Sequence, residues 1–269
     1  GGDFGSGIGG GNGYSLSGSG TVKITGGIVT ATGGKQSSGI GGGSGGSLSG
    51  MVEITSGTVT ATGGDFGSGI GGGASGALSG TVKITGGAVT ATGGKEGSGI
   101  GGAYRGALTG TVKITGGTVT ATGGDFGSGI GGGSEGELTG MVEITGGKVT
   151  ATGGDAGAGI GGGAIYSLSG RIEIEGELVV SEEGKKFAIA EGTVLTKVYD
   201  GETFEPTYGI PGSGTILYSY QHKNGENYED VTGSSKNVGE YKVKTSISKE
   251  EGKIKITAKF EIRPKEKPE

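Results

Sequence analysis

From Ile40 onward the sequence repeats itself every 30 residues without slippage. Ile40, Ile70, Ile100, Ile130 and Ile160 share one Gly-x-Gly-Ile-Gly-Gly context, with Ser37 in place of the first glycine before Ile40, and Leu48, Leu78, Leu108, Leu138 and Leu168 keep the same step. A fixed period of this length marks stacked supersecondary units, none of which can bury its apolar face alone. Glycine supplies 73 of the 269 residues with no Gly-X-Y triplet, so collagen is excluded. The apolar residues recur in register, which a disordered linker does not require. What remains is repetitive β structure with many tight turns.

Residues 111–140 serve as the type unit. Thr111-Val-Lys-Ile-Thr115 alternates polar and apolar, as a half-buried strand does, and Val112 and Ile114 share one face. Gly116-Gly117 reads as a turn. Thr118-Val-Thr-Ala-Thr122 alternates again, with Val119 and Ala121 inward and the threonines outward. After Gly123-Gly124 a short third segment carries Ile130 inward, and a Gly/Ser-rich loop leads to Leu138. Three strands separated by Gly-Gly turns predict one rung of a β-solenoid. Its core is Val112, Ile114, Val119, Ala121, Ile130 and Leu138.

Two rows of charge bear on whether one repeat makes one coil. The first reads Lys23, Glu53, Lys83, Lys113, Glu143 and Glu173; the second reads Asp3, Lys35, Asp65, Lys95, Asp125, Asp155 and Lys185. Stacked rungs lie about 4.8 Å apart, close enough for opposite charges one repeat apart to pair. Two coils per repeat would double that distance and leave them largely screened. The second row alternates sign almost throughout, which favours one coil per repeat.

The array's ends depart from the pattern. The first unit carries a two-residue insertion around Ser17-Gly18-Ser19-Gly20, and Tyr14 and Tyr166 stand where inner units have Gly. Near the other end the Gly-Ile-Gly-Gly element gives way to Phe187-Ala-Ile-Ala190. Both read as capping units. The expected fold is all-β: a parallel, right-handed solenoid of six to seven coils over residues 1–191, then a small β-sandwich over 192–269.

That second region carries all four prolines and several alternating runs, among them Thr215–Tyr220, Tyr241–Ile247 and Lys253–Ile262. Asn224-Gly225 between extended segments signals a hairpin. Lys197-Val-Tyr-Asp-Gly201, Asn237-Val-Gly-Glu-Tyr-Lys-Val243 and Phe260-Glu-Ile-Arg-Pro264 occur there in order. In these motifs the region resembles the Tyr-Asp-Gly (YDG, or MBG-type) Ig-like modules of bacterial surface proteins. The Gly-Ile-Gly-Gly-Gly repeats are similar to those of large secreted bacterial proteins. The resemblance implies an extracellular protein, wall-attached or secreted, with Ig-like modules as spacers or adhesive units. It carries over no catalytic residues. The chain opens in mid-repeat and ends in Pro264-Lys-Glu-Lys-Pro268, so it reads as part of a longer chain with further Ig-like or anchor domains.

Composition narrows the functional classes. Without cysteine there is no thiolate chemistry, and no apolar run reaches 18 residues, so no helical membrane insertion is expected. The acidic excess, −5 over the chain, falls in residues 1–192, while the remainder is balanced. Neither region has the basic patch that neutralising phosphates requires, which excludes nucleic acid as an expected partner.

The candidate sites are few. Gly5-Ser-Gly-Ile-Gly-Gly10 fits the dinucleotide fingerprint, but no helix follows any copy to hold the pyrophosphate, so no nucleotide cofactor is expected. Asp125 and Asp155 are consecutive in their row, a weak candidate for a cation. Thr90, Thr92, Thr120 and Thr122 belong to five outward Thr-x-Thr pairs, a grid of about 6.7 by 4.8 Å that resembles ice-binding solenoids. Thr is also a favoured exposed strand residue. Phe66 and Phe126 are equivalent positions two rungs apart whose rings could stack on sugars or cover Gly-rich backbone.

The main mid-array departure is Ala103-Tyr104-Arg105, with Glu135 one rung on. Tyr104, Arg105 and Glu135 form a candidate glycan contact. A lyase or hydrolase would want convergent carboxylates and a base, and the solenoid has no histidine. The expectation is a non-enzymatic structural and adhesive rod, with host or environmental glycans or proteins as partners. Carbohydrate binding along one face is the alternative, followed by a lyase-like β-helix and ice binding.

Overall fold

The computed structural model describes residues 2–163 continuously, together with strands lying between Arg171 and Arg263. In chain order the first twelve strands are β1 (Ile8–Gly9), β2 (Thr21–Thr32), β3 (Ile40–Gly41), β4 (Met51–Thr62), β5 (Ile70–Gly71) and β6 (Thr81–Ile84), then β7 (Ala88–Thr92), β8 (Ile100–Gly101), β9 (Thr111–Thr122), β10 (Ile130–Gly131), β11 (Met141–Thr152) and β12 (Ile160–Gly161). They form a parallel β-solenoid. One face stacks β1-β3-β5-β8-β10-β12, and the other stacks the long strands in the same sequence.

Each repeat is one coil. Ile40 pairs with Ile70, Ile70 with Ile100, Ile100 with Ile130 and Ile130 with Ile160. Isolated bridges continue the leucine row from Leu48 through Leu78 and Leu108 to Leu138. The two-residue insertion is taken up between Leu16 and Thr21: Leu16 opposes Leu48, whereas Thr21 already opposes Met51. About five turns separate Ile8 from Ile160. All six residues expected to fill the type rung, Val112, Ile114, Val119, Ala121, Ile130 and Leu138, are fully buried. Each large apolar side chain so placed contributes about 1.5–3 kcal/mol relative to exposure.

The Gly-Gly pair after the first strand separates two strands, as expected, only between β6 and β7 among the described coils. In β2, β4, β9 and β11 the strand runs through it for 12 residues and only bends. Register shifts mark the bend between Ile144, Gly146 and Lys148, and Gly117 takes φ +85°. The bend also solves a parity problem. Inward residues are even-numbered before it (Val112, Ile114) and odd-numbered after it (Val119, Ala121). A flat strand would turn one of these sets outward.

Rungs approach so closely that backbone meets backbone. A Cβ added at Gly64, Gly97, Gly73 or Gly76 would lie 1.9–2.0 Å from a carbonyl oxygen of the preceding rung. The second recurring device is polar. Ser38, Ser68, Ser98 and Ser128 are buried, and each donates its hydroxyl to the carbonyl four residues on, at 2.7–2.8 Å. This ties the Gly-x-Gly-Ile-Gly-Gly element to itself, so it is a buried corner and not a phosphate cradle.

The two charge rows behave differently. Lys23 and Lys83 both reach Glu53, at 3.1 and 2.9 Å, and Lys113 reaches Glu143 at 2.7 Å. The Asp3, Lys35, Asp65, Lys95, Asp125, Asp155 row makes no ion pair among the described residues, contrary to expectation. Its side chains are exposed on turns, whereas the Lys/Glu row stands on a strand that fixes neighbouring Cβ atoms in register.

Beyond the regular coils lie β13 (Arg171–Glu175), β14 (Glu177–Val180), β15 (Lys186–Ala190) and β16 (Leu195–Val198), then β17 (Thr215–Asn224), β18 (Asn227–Val231), β19 (Gly239–Lys249) and β20 (Gly252–Arg263). β13 continues the parallel stack, and Ile172 is buried. β15 does not continue the isoleucine row as expected. It runs antiparallel along β11, Val149 opposite Ile189, and covers that edge. Asn224 opposes Asn227, so a hairpin forms at the expected place, but with Asn224 in its closing pair and not at the centre of the loop. β17, β19 and β20 are antiparallel to one another, and β20 joins β13 in parallel. The second layer of a sandwich is not among the described residues, and Tyr166 lies outside them.

Two outcomes follow. Gly127→Ala, whose Cβ would sit 2.0 Å from the Gly97 carbonyl oxygen, destabilises by about 3 kcal/mol or more, while Gly11→Ala, with open space around it, is near neutral in urea unfolding. Lys83 and Lys23, through hydrogen bonds and charge, hold the Glu53 carboxyl below its ordinary value of 4.5. Its contribution is therefore present at neutral pH and lost as pH falls through that lowered value. Glu53→Gln is less stable than the parent at pH 7, and the two converge in acid melts once pH has fallen below that lowered value.

Candidate functional site

The corner that follows each long strand is built from two turns, and its side chains differ most from rung to rung. The first turn holds Phe4, Gln36, Phe66, Glu96 and Phe126 in one row. The second holds Ser44, Ala74, Tyr104 and Ser134, followed by Gly45, Ser75, Arg105 and Glu135. Backbone hydrogen bonds lock the turns of successive rungs together: Ala74 N–H donates to Gln36 O, Tyr104 N–H to Phe66 O and Ser134 N–H to Glu96 O, at 2.7–3.2 Å.

This locking brings the sequence candidates into one cluster. The Phe66 and Tyr104 rings meet edge to face at 5.6 Å and 65°. The Arg105 guanidinium lies 4.9 Å from the centre of the Tyr104 ring, and Arg105 Nε donates to Glu135 Oε2 at 2.9 Å. Tyr104 is therefore not an open stacking platform, since the guanidinium covers one face of its ring. Phe66 was not expected to touch Tyr104. The signal was present in the repeat, because every such turn contact spans one rung plus eight residues. Phe126 stands apart with 37% of its surface exposed.

The cluster departs from the repeat at a cost. Gly13 and Gly45 hold the left-handed position of the second turn, but Ser75, Arg105 and Glu135 hold it in the next three rungs, at φ 62°, 56° and 56°. A side chain there costs roughly 1–2 kcal/mol. Ala103 stands where Gly73 and Gly133 have no room for a Cβ, each 2.0 Å from a carbonyl oxygen of the rung before. Against this, an exposed cation–π contact is worth about 0.5–1 kcal/mol and an exposed ion pair about 0.2–1 kcal/mol. The contacts of Arg105 only offset its backbone strain. Stability does not explain why arginine stands there.

The other candidates are where the register puts them. Thr60, Thr90, Thr120 and Thr150 stack in one row, and Thr62, Thr92, Thr122 and Thr152 in the next. Asp125 and Asp155 are exposed on consecutive turns. No third acidic or histidine group completes a cluster with them among the described residues, whereas calcium takes six to eight oxygens.

Five stretches, residues 22–44, 52–74, 82–104, 112–134 and 142–164, match the family model described as Beta helix repeat. Each begins at the second residue of a strand, β2, β4, β6, β9 or β11, and the first four end in the second turn, so the matches follow the rungs. No curated protein and no solved structure matches the chain.

If strain and contacts balance at Arg105, then Arg105→Gly changes unfolding free energy by less than about 1 kcal/mol, while Ser75→Gly, which loses no such contacts, stabilises by about 1 kcal/mol. Urea titration of both variants checks the pair.

Proposed function

We propose that this β-helix repeat protein is an extracellular structural and adhesive element: a stiff solenoid that presents laddered faces, attached to an Ig-like spacer in residues 192–269. The observation that carries the reading is the unbroken register of the isoleucine and leucine rows over buried side chains, which makes the coils one rigid body. Length is not what such a body provides. At about 4.8 Å per rung, 30 residues gain less reach than two residues of extended chain. It provides a fixed surface whose features recur every rung. The Tyr-Asp-Gly resemblance supports a bacterial cell wall or secreted location, with further modules of the same chain beside it. The reading assigns no catalysis to the chain.

Glycan contact at the corner is the second reading, and Arg105 favours it, because its position is not repaid in stability. Phe66 and Phe126 offer apolar surface, with the Arg105–Glu135 pair as polar heads for hydroxyls. Asp65, Glu96, Asp125, Glu135 and Glu137 outnumber Lys95 and Arg105 there, which favours neutral sugars over uronates. A glycan array tests it: binding to neutral polysaccharides, abolished in Arg105→Ala and Phe126→Ala, supports the corner as a site. Equal signal from both variants and the parent removes it. The rigid-body reading has its own test. Excising residues 81–110 leaves a folded solenoid shorter by about 4.8 Å in small-angle scattering; loss of the fold contradicts it.

A further inference from the structure

The core of the solenoid repeats every rung, but one row of its surface repeats every second rung. Residues 1–163 contain three phenylalanines, Phe4, Phe66 and Phe126, and all three stand in the first turn of alternate rungs. Gln36 and Glu96 hold that place in the rungs between. An aspartate precedes each ring and a lysine each polar residue, until Asp155-Ala156 ends the alternation. The backbone gives the row one geometry. Ser44, Ala74, Tyr104 and Ser134 N–H donate in turn to the carbonyls of Phe4, Gln36, Phe66 and Glu96, at 2.7–3.2 Å.

Stacking of the coils does not call for these rings. The rungs that carry Gln36 and Glu96 pair in the same register as their neighbours, Ile40 with Ile70 and Ile100 with Ile130. A single ring on the surface needs no explanation, but a line of rings at fixed spacing does. Phe126 keeps 37% of its surface exposed, and Phe66 is half-buried with Tyr104 edge to face against it.

The spacing selects a ligand. Two rungs place equivalent rings about 9.6 Å apart along the axis. In an extended β-1,4-linked polysaccharide each sugar is turned over relative to the last. Every second sugar then presents the same face, and the two-sugar repeat is close to two rungs. The apolar C–H face of a neutral sugar stacks on an aromatic ring, whose face carries partial negative charge. Coiled chains, such as α-1,4-linked glucan, do not hold equivalent faces in line at this repeat. Resting on the reading of the corner as a glycan contact, we propose that this row binds a neutral, extended β-1,4-linked glycan laid along the solenoid axis. Alternate sugars stack on Phe66 and Phe126, and the sugar between them faces Glu96, whose carboxylate accepts from its hydroxyls.

Isothermal titration of the 269-residue protein with cellohexaose and chitohexaose tests the spacing. The parent binds at least one of them, and Phe66→Ala and Phe126→Ala each weaken that binding on the order of tenfold. The deciding variant combines Glu96→Phe with Phe126→Glu, which keeps the composition but sets two rings only about 4.8 Å apart. It binds as weakly as Phe126→Ala. These side chains stand outside the core, so circular dichroism of every variant matches the parent. Parental affinity in the combined variant overturns the proposal, as does equal affinity of the parent for maltohexaose. If both β-1,4-linked hexamers fail while another neutral polysaccharide binds and is lost in Arg105→Ala, the two-rung match is overturned and the corner remains a glycan site. If no polysaccharide binds, both readings fall.

Discussion

Everything regular in this protein depends on how closely successive coils approach at their corners. Where one backbone crosses another, a Cβ would stand about 2 Å from a carbonyl oxygen, so the chain must be glycine at several points in every rung. That contact lets the parallel ladders close without slippage and the inward rows meet in register. It also explains a composition that would otherwise suggest disorder. Glycine costs entropy on folding, and the stacked rows of Val, Ile and Leu buried between rungs offset it.

Much of this could be read from the sequence because a solenoid repeats its physics. The 30-residue step located the coil and picked out Ile130 and Leu138, and period-2 alternation within Thr111–Thr122 named the other four residues that line it. What escaped were features that need three dimensions. The Gly116-Gly117 pair looks like a turn, and only the parity of Ile114 and Val119 tells that the strand bends through it. The Asp/Lys row alternates in sign along the sequence, yet turns splay its side chains into solvent, and the pairing falls to the Lys/Glu row on the strand. The buried serines at Ser38 and its equivalents recur through Ser128 before Ala158 takes their place, but a serine among glycines reads as loop.

The candidate site followed the same division. Ala103-Tyr104-Arg105 stood out because it broke the repeat, and Glu135 followed from the one-rung step. The partnership of Phe66 with Tyr104 did not follow, because it joins two different turns of neighbouring coils. Departures from a strict repeat matter most where they also cost something. Ala103 occupies a position that is glycine in the neighbouring rungs, Arg105 holds a left-handed position that the first two rungs give to glycine, and the ion pair and ring contact return little more than the strain.

The central claim is that 30 residues advance the structure by one rung. The chain has no cysteine, so spin labels can be placed singly on the outward threonines. With one label at Thr60 and the second moved from Thr90 to Thr120 to Thr150, dipolar distances should grow by about 4.8 Å at each step. Steps of about 9.6 Å would mean two coils per repeat, and a distance that does not grow with repeat number would contradict the solenoid altogether.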